Sequence, residues 1–248
     1  MTDYNPYSLK GKVILVTGAS SGIGRATAVE CSRLGAKLVI TARNKERLTE
    51  TLSMLEGVNH QMILADLTDS SELERLVSDL PTIDGFVCNA GINKRRPIGS
   101  IKEEIMMDIF ETNLFACIHL TKSIVKAKKM NHNGSMVFVS SMAARQVTTG
   151  NSVYAASKAA VESFSRSCAL EYASKGIRSN AVLPGMVETP LVSNGMLSTE
   201  DIEQDKAKYL LKRYGKPEEI AWAIIYLLSD ASAWTTCTSI KVNGGGGL

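Results

Sequence analysis

The feature that most constrains this chain is a glycine-rich turn placed directly after its first apolar run. Val13-Ile14-Leu15-Val16-Thr17 is short and β-branched, and it runs without a break into Gly18-Ala19-Ser20-Ser21-Gly22-Ile23-Gly24. Such a run reads as a buried strand. The GxxxGxG spacing lets the chain turn tightly at Gly18. It also lets a phosphate and the sheet come close to the following helix at Gly22 and Gly24. The first turn of that helix offers free N–H groups and a partial positive charge suited to a pyrophosphate. Three glycines at this junction argue against a plain strand-to-helix turn, and no GxxxxGKS/T phosphate loop occurs. The turn therefore predicts a dinucleotide site in which Gly18, Ser20, Ser21, Gly22, Ile23 and Gly24 surround the phosphates.

The alternation of strand and helix repeats along the chain. Helical spacing over Gly22 to Leu34, stopped by Gly35, is followed by a strand over Lys37 to Thr41, a helix over Lys45 to Leu55 and a strand over His60 to Ala65. Asp69-Ser70-Ser71-Glu72 has the pattern of a capped helix start, and that helix runs to Leu80 before Pro81. Next come a strand over Ile83 to Asn89, one long helix over Ile101 to Lys129 and a strand over Ser135 to Ser140. A helix over Ser152 to Ser174, a strand over Ile177 to Val182, a helix opened by Pro217 and a short strand over Ser239 to Val242 complete the pattern. Alternating elements imply parallel pairing through right-handed crossovers, and near-continuous apolar strands require cover on both faces. The expectation is an α/β fold: a Rossmann-type, doubly wound, parallel seven-stranded sheet in three α/β/α layers, with its ligand at the carboxyl ends of the strands. No linker or repeat divides the chain, so residues 1–248 are read as one dinucleotide-binding domain with a built-in substrate site.

Composition acts as a filter. A chain with 44% apolar residues is not disordered, and no window approaches the ~20 apolar residues of a membrane span. The opening MTDYNPYSLKGK lacks the apolar stretch of a secretory signal. A net charge of +3 is small for a nucleic-acid binder. Five scattered cysteines without a CxxC pair, and three histidines without metal spacing, point to reduced thiols, no metal site and a cytoplasmic location.

The second strand selects between nucleotides. Dinucleotide sites usually place a carboxylate at its end for the ribose 2′-OH, whereas this one ends Thr41-Ala42-Arg43. Arg43 can pair with a 2′-phosphate through charge-assisted hydrogen bonds, so NADP(H) is predicted over NAD(H). Asp66, in Ala65-Asp66-Leu67 after the third strand, either reaches the adenine edge or serves as a helix N-terminal turn residue.

Chemistry enters with Tyr154-Ala155-Ala156-Ser157-Lys158, where tyrosine and lysine share one helical face. A free phenol titrates near 10, too high for proton transfer at neutral pH, and a neighbouring cation lowers it. Ser140-Ser141 ends the strand just upstream, where a hydroxyl can meet a substrate oxygen beside the tyrosine.

Taken together, these residues resemble the short-chain dehydrogenase/reductase family over essentially the whole chain. The resemblance rests on TGASSGIG, Cys88-Asn89-Ala90-Gly91, Asn113, Ser141, YAASK and Pro184-Gly185 in that order. It implies that Tyr154 exchanges the proton with the substrate oxygen and that Lys158 lowers the tyrosine pKa and holds the nicotinamide ribose. Ser141 would orient the carbonyl, and Asn113 would hold a water linking Lys158 to solvent. Asn89, Ala90 and Gly91 would support the sheet near the cofactor, with Cys88 where the family's motif has asparagine. Pro184, Gly185, Val187 and Thr189 would position the nicotinamide.

The overall pattern, including the ending Lys241-Val242-Asn243-Gly244-Gly245, is most similar to bacterial 3-oxoacyl-ACP reductases. That likeness implies ketone reduction, an acyl-carrier protein partner met by Lys126, Lys128, Lys129 and Lys175, and a homotetramer. The stretch Ile92-Asn93-Lys94-Arg95-Arg96-Pro97 departs from the fatty-acid enzymes. The alternatives are therefore an enzyme for another small ketone, sugar or alcohol, or a non-catalytic nucleotide-binding regulator. Segment 186–211, which mixes Leu191, Val192, Met196 and Leu197 with polar residues, is expected to be a flexible substrate lid. Small residues on the helix around Tyr154 suit a helix–helix subunit interface.

Overall fold

The near-continuous apolar strands form one parallel sheet because each must bury both of its faces. The structure, a computed structural model, describes residues 4–189 and 199–246. Strands β1 (Val13–Thr17), β2 (Lys37–Ala42), β3 (Gln61–Leu64), β4 (Ile83–Cys88), β5 (Met130–Val139), β6 (Arg178–Pro184) and β7 (Ser239–Val242) pair in the order β3-β2-β1-β4-β5-β6-β7. Every pairing is parallel. The strand order reverses at β1, so the loops after β1 and β4 part there and leave a crevice.

Successive residues of each strand feed opposite layers. Ile14, Val16, Leu38, Ile40, Val87, Val137 and Val139 pack with α1 (Gly22–Arg33), α2 (Lys45–Ser53) and the C-terminal helix α8 (Pro217–Leu228). Leu15, Val39, Phe86, Cys88, Met136 and Phe138 pack on the other face with α3 (Ser70–Asp79), α5 (Ala116–Lys126) and α6 (Ser152–Tyr172). Phe138 lies edge-on to both Phe86 and Phe164, which ties β4, β5 and α6 together.

Local signals set the element ends. Asp69 accepts from the backbone N–H groups of Ser71 and Glu72, each at 2.9 Å, the cap its sequence pattern predicts. Gly35, at φ +86°, closes α1 in a conformation costly for other residues. His60 ties the start of β3 to β2: its Nδ1 accepts from Leu38 N–H at 3.1 Å.

Two expected boundaries are corrected. The long helix over 101–129 is instead α4 (Glu103–Phe110), a π-helical turn (Glu111–Phe115) and α5. The widened turn serves Asn113, whose amide is bound from both sides by the chain at Ile92. Strand β5 begins five residues early, at Met130, because Lys129 and Met130 already meet Ile83 before the register shifts around Gly134. Among the described residues no helix is long and apolar enough to cross a membrane, and no cluster could hold a metal ion.

Candidate active site

The glycine turn is shaped by contact with β4. Thr17 donates through its hydroxyl to Val87 O and accepts from Asn89 and Ala90 N–H. Asn89 Nδ2 donates to Thr17 O at 3.1 Å and Gly18 O at 3.3 Å. Gly18 and Gly22 hold φ of +63° and +52°. A Cβ at Gly24 would lie 2.5 Å from Asn89 Nδ2 and 2.8 Å from the Gly18 carbonyl carbon. Ser21 begins α1 without a side-chain cap, which leaves the first-turn N–H groups free of any competing hydroxyl. This cradle fits a pyrophosphate: small, glycine-lined and at a positive helix end.

Arg43 and Asp66 meet at 3.5 Å across the ends of β2 and β3. Burial pushes the Asp66 carboxyl up, but two hydrogen bonds from Thr68 and the Arg43 charge outweigh it and hold the group below its ordinary value. Leu67 and Ala90 line a narrow void that continues to Asn113 and Lys158.

On the far side, β6 delivers Pro184 opposite Val242, and Gly185 N–H donates to Val242 O at 3.0 Å. Val187 is buried and bridges to Gly215, while Met186 N–H donates to Tyr209 Oη at 3.2 Å. Thr189 ends this described stretch. Of the expected lid, residues 190–198, with Leu191, Val192, Met196 and Leu197, lie outside the described residues. Its second half is helix α7 (Thr199–Lys206) followed by Tyr209, Leu210 and Leu211, which pack over Gly244, Gly245 and Gly246. The glycine run at the end of the chain is thus a seat for this segment, a role its composition did not signal.

The tyrosine, lysine and serine converge. Lys158 Nζ lies 5.9 Å from the centre of the Tyr154 ring and donates to Val139 O at 2.9 Å. Ser141 hydrogen-bonds the Tyr154 phenol and also accepts from Ala143 N–H at 3.1 Å. Ser140 turns inward instead and donates to Lys158 O at 2.7 Å, so the two adjacent serines have separate tasks. Asn113 Nδ2 donates to Ile92 O and to Ser157 Oγ, both at 3.0 Å, and its Oδ1 accepts from Ile92 N–H at 2.7 Å. Gly91 runs close to both groups: a Cβ there would lie 3.1 Å from Asn113 Oδ1 and 3.2 Å from Lys158 Nζ. Ser157 was not legible as a site residue, since nothing in the sequence links it to Asn113.

Burial dominates the titrations. It raises the Tyr154 phenol, partly offset by the Ser141 hydrogen bond; Lys158 is not among the groups that lower it, contrary to the expectation from the tyrosine–lysine spacing. Burial also brings the Lys158 ammonium down to about 8, opposed by the neighbouring Cys117 and Cys88 thiols. Cys117 is held well above its ordinary value, first by a hydrogen bond with Cys88 and then by burial. The Lys158 shift has a defined sign. Below pH 8 both folded and unfolded chains carry the proton, and folding bears the full cost of burying the charge. Between about 8 and about 10.4 the unfolded chain holds more protons, so stability rises with pH. Lys158→Met is therefore expected to raise the unfolding temperature at pH 7, with an advantage over the parent that shrinks by pH 10. Thermal unfolding of both proteins at the two pH values checks this, and a lower unfolding temperature for the variant at pH 7 contradicts it.

These features agree with known proteins. A family model described as enoyl-(acyl carrier protein) reductase matches residues 18–246. The 3-oxoacyl-(acyl-carrier-protein) reductase FabG of Escherichia coli is 36% identical over 242 residues, covering 96% of this chain and 98% of that protein. The FabG of Thermotoga maritima is 35% identical over 243 residues, again covering 96% and 98%. Among solved structures, one assigned as a gluconate dehydrogenase from Agrobacterium tumefaciens superposes with a TM-score of 0.91 at 26% identity, covering 98% of each chain. One assigned as an NAD(P)-dependent gluconate 5-dehydrogenase from Beutenbergia cavernae, holding NADP, gives 0.89 at 31% identity, covering 97% and 98%. A variant of the actinorhodin polyketide ketoreductase with NADPH gives 0.88 at 32% identity, covering 94% and 96%. With the glycine cradle at one end of the crevice and Ser141, Tyr154 and Lys158 at the other, the chain belongs to the short-chain dehydrogenase/reductase family of oxidoreductases.

Proposed function

We propose that this protein is an NADP(H)-dependent ketone reductase of the cytoplasm in which Tyr154 is the proton donor. The convergence of Ser141, Tyr154 and Lys158 at the carboxyl ends of β5 and β6 carries the reading. The nicotinamide, when bound, supplies the hydride. Gly18, Ser20, Ser21, Gly22, Ile23 and Gly24 hold the pyrophosphate, and Asp66, Leu67, Asn89, Ala90 and Gly91 line the adenosine and ribose side. Pro184, Gly185, Val187 and Thr189 border the nicotinamide. Ser141 and Tyr154 donate hydrogen bonds to the carbonyl oxygen, and their stabilisation grows as that oxygen gains charge. Tyr154 then gives up its proton, and Lys158, held by Val139 O at 2.9 Å, is placed to hold the nicotinamide ribose. Asn113, fixed by Ile92 and Ser157, keeps the proton path to Lys158 in place.

Arg43 is the anchor for the 2′-phosphate, with Asp66 as its partner at 3.5 Å. Arg43→Asp is expected to reverse the preference, raising the KM for NADPH by tenfold or more while that for NADH falls. Steady-state kinetics with both cofactors checks this, and an unchanged ratio removes Arg43 from the phosphate site.

The named relatives support an acyl thioester substrate carried on an acidic acyl-carrier protein, met by Lys126, Lys128, Lys129 and Lys175. A second reading, a small hydroxylated ketone, is supported by the two neighbours assigned as gluconate dehydrogenases. Exposed Ala156, Ala159, Ser163 and Ser167 along one side of α6 support close helix contact in a homotetramer. NADPH oxidation over a panel of acetoacetyl thioesters, diketones and sugar-derived ketones tests the activity, and no turnover of any of them overturns it.

A further inference from the structure

The carbonyl oxygens of the glycine turn are held by side chains from two sides. Asn89 Nδ2 takes Thr17 O and Gly18 O from the β4 side. The next two carbonyls are held from the side of α2. Thr51 Oγ1 donates to Ala19 O at 2.9 Å, and Arg25 Nη2, from the first turn of α1, donates to Ser20 O at 2.8 Å. These two side chains are themselves joined, since Arg25 Nε donates to Thr51 Oγ1 at 3.0 Å. Glu50 fixes the same guanidinium from outside at 2.7 Å. Every carbonyl from Thr17 to Ser20 therefore accepts from a side chain.

Thr51 lies fully buried within α2. A helical threonine ordinarily donates to the carbonyl one turn back, and Arg47 O is 3.0 Å away. That carbonyl also accepts from Arg25 Nη2 at 3.3 Å, whereas no second donor to Ala19 O occurs among the described residues. The hydroxyl proton is therefore better placed on Ala19 O, which would otherwise be a costly unmet acceptor. The direction of these bonds matters to an anion. In a trans peptide the C=O and the following N–H point opposite ways. Drawing Ala19 O and Ser20 O toward α2 turns the N–H groups of Ser20 and Ser21 away from it. A peptide freed to rotate presents its carbonyl instead, and that oxygen repels phosphate.

We propose that Thr51 and Arg25 are positioning residues of the cofactor site, which brace the glycine turn against α2 so that it meets the pyrophosphate with N–H groups alone. They act through the turn and not on the 2′-phosphate, so they serve NADPH and NADH alike. This separates them from Arg43, which selects between the two. The proposal rests on the turn holding the pyrophosphate, as in the preceding section, and adds α2 to that site.

The test measures the Kd of NADPH and of NADH by nicotinamide fluorescence, together with kcat at saturating cofactor and the unfolding temperature. Thr51→Val keeps the shape of the side chain and removes its hydroxyl. It is expected to weaken both nucleotides by about tenfold, by the same factor, with kcat within about twofold of the parent. Thr51→Ser restores the hydroxyl and should recover the parental Kd. Arg25→Lys keeps the charge but loses the fork that reaches Ser20 O and Thr51 together, so it should weaken both nucleotides as well. Thr49→Val is the control, because that exposed hydroxyl on the same helix meets only Met62 Sδ at 3.7 Å. Parental Kd values in Thr51→Val or in Arg25→Lys overturn the brace. A loss confined to NADPH overturns it too, by placing the effect at the 2′-phosphate. A loss that Thr51→Ser does not repair, or that Thr49→Val matches, reduces it to a general loosening of α2. If Thr51→Val does not fold, Arg25→Lys and Thr51→Ser decide. The underlying reading fails separately, if the parent binds neither nucleotide.

Discussion

Tyr154→Phe is expected to lower ketone reduction by about 10²–10⁴-fold, the range a positioned general acid contributes. The substitution removes one oxygen and keeps the ring, so the packing of Tyr154 against Lys158 at 5.9 Å is preserved. NADPH affinity, measured by fluorescence titration, should therefore stay close to that of the parent while kcat collapses. Ser141→Ala removes the other donor to the same oxygen. Because Ser141 and Tyr154 already hydrogen-bond each other, the two act as a unit. The double variant should then lose little more than Tyr154→Phe alone. Near-parental turnover of Tyr154→Phe excludes this residue as the proton donor.

Gly24→Ala should have the largest structural effect of any single methylene-sized change in the cofactor region. The added carbon would lie 2.5 Å from Asn89 Nδ2 and 2.8 Å from the Gly18 carbonyl carbon, so backbone has to move. Overpacking of this kind costs about 1–3 kcal/mol or more. In a chain of this size each kcal/mol lowers the unfolding temperature by roughly 2–4 °C. The displaced turn should also lose NADPH affinity, since its N–H groups no longer converge on one phosphate position. Gly99→Ala is the control, because a Cβ there meets nothing within 4 Å. If Gly24→Ala unfolds at the parental temperature and binds NADPH as the parent does, the close-approach account of this glycine is wrong.

The sheet was legible in the sequence because its strands are short β-branched runs separated by glycines and caps that act locally. TGASSGIG and the cap at Asp69 needed no tertiary information. The kinked α4–α5 segment was not legible: apolar spacing persists through Glu111–Phe115, and only the distant Ile92 backbone explains the π turn. The same holds for Lys158. Spacing places it beside Tyr154, but its pKa near 8 reflects burial, which periodicity does not report. The YxxxK pattern suggested a tyrosine lowered by lysine, whereas burial raises the phenol in the folded chain.

The clasp between Asn89 and Gly18 also bears on how the protein reaches its native state. Its partners are 71 residues apart, and β1 and β4 are neighbours in the sheet although β2 and β3 lie between them in the chain. Pairings of such long sequence separation form late, because loop closure has to precede them. A half-assembled sheet therefore has no finished cradle for a dinucleotide. The cofactor can recognise the completed chain but gives no foothold to its precursors, so its stabilising effect should appear as slower unfolding rather than faster folding.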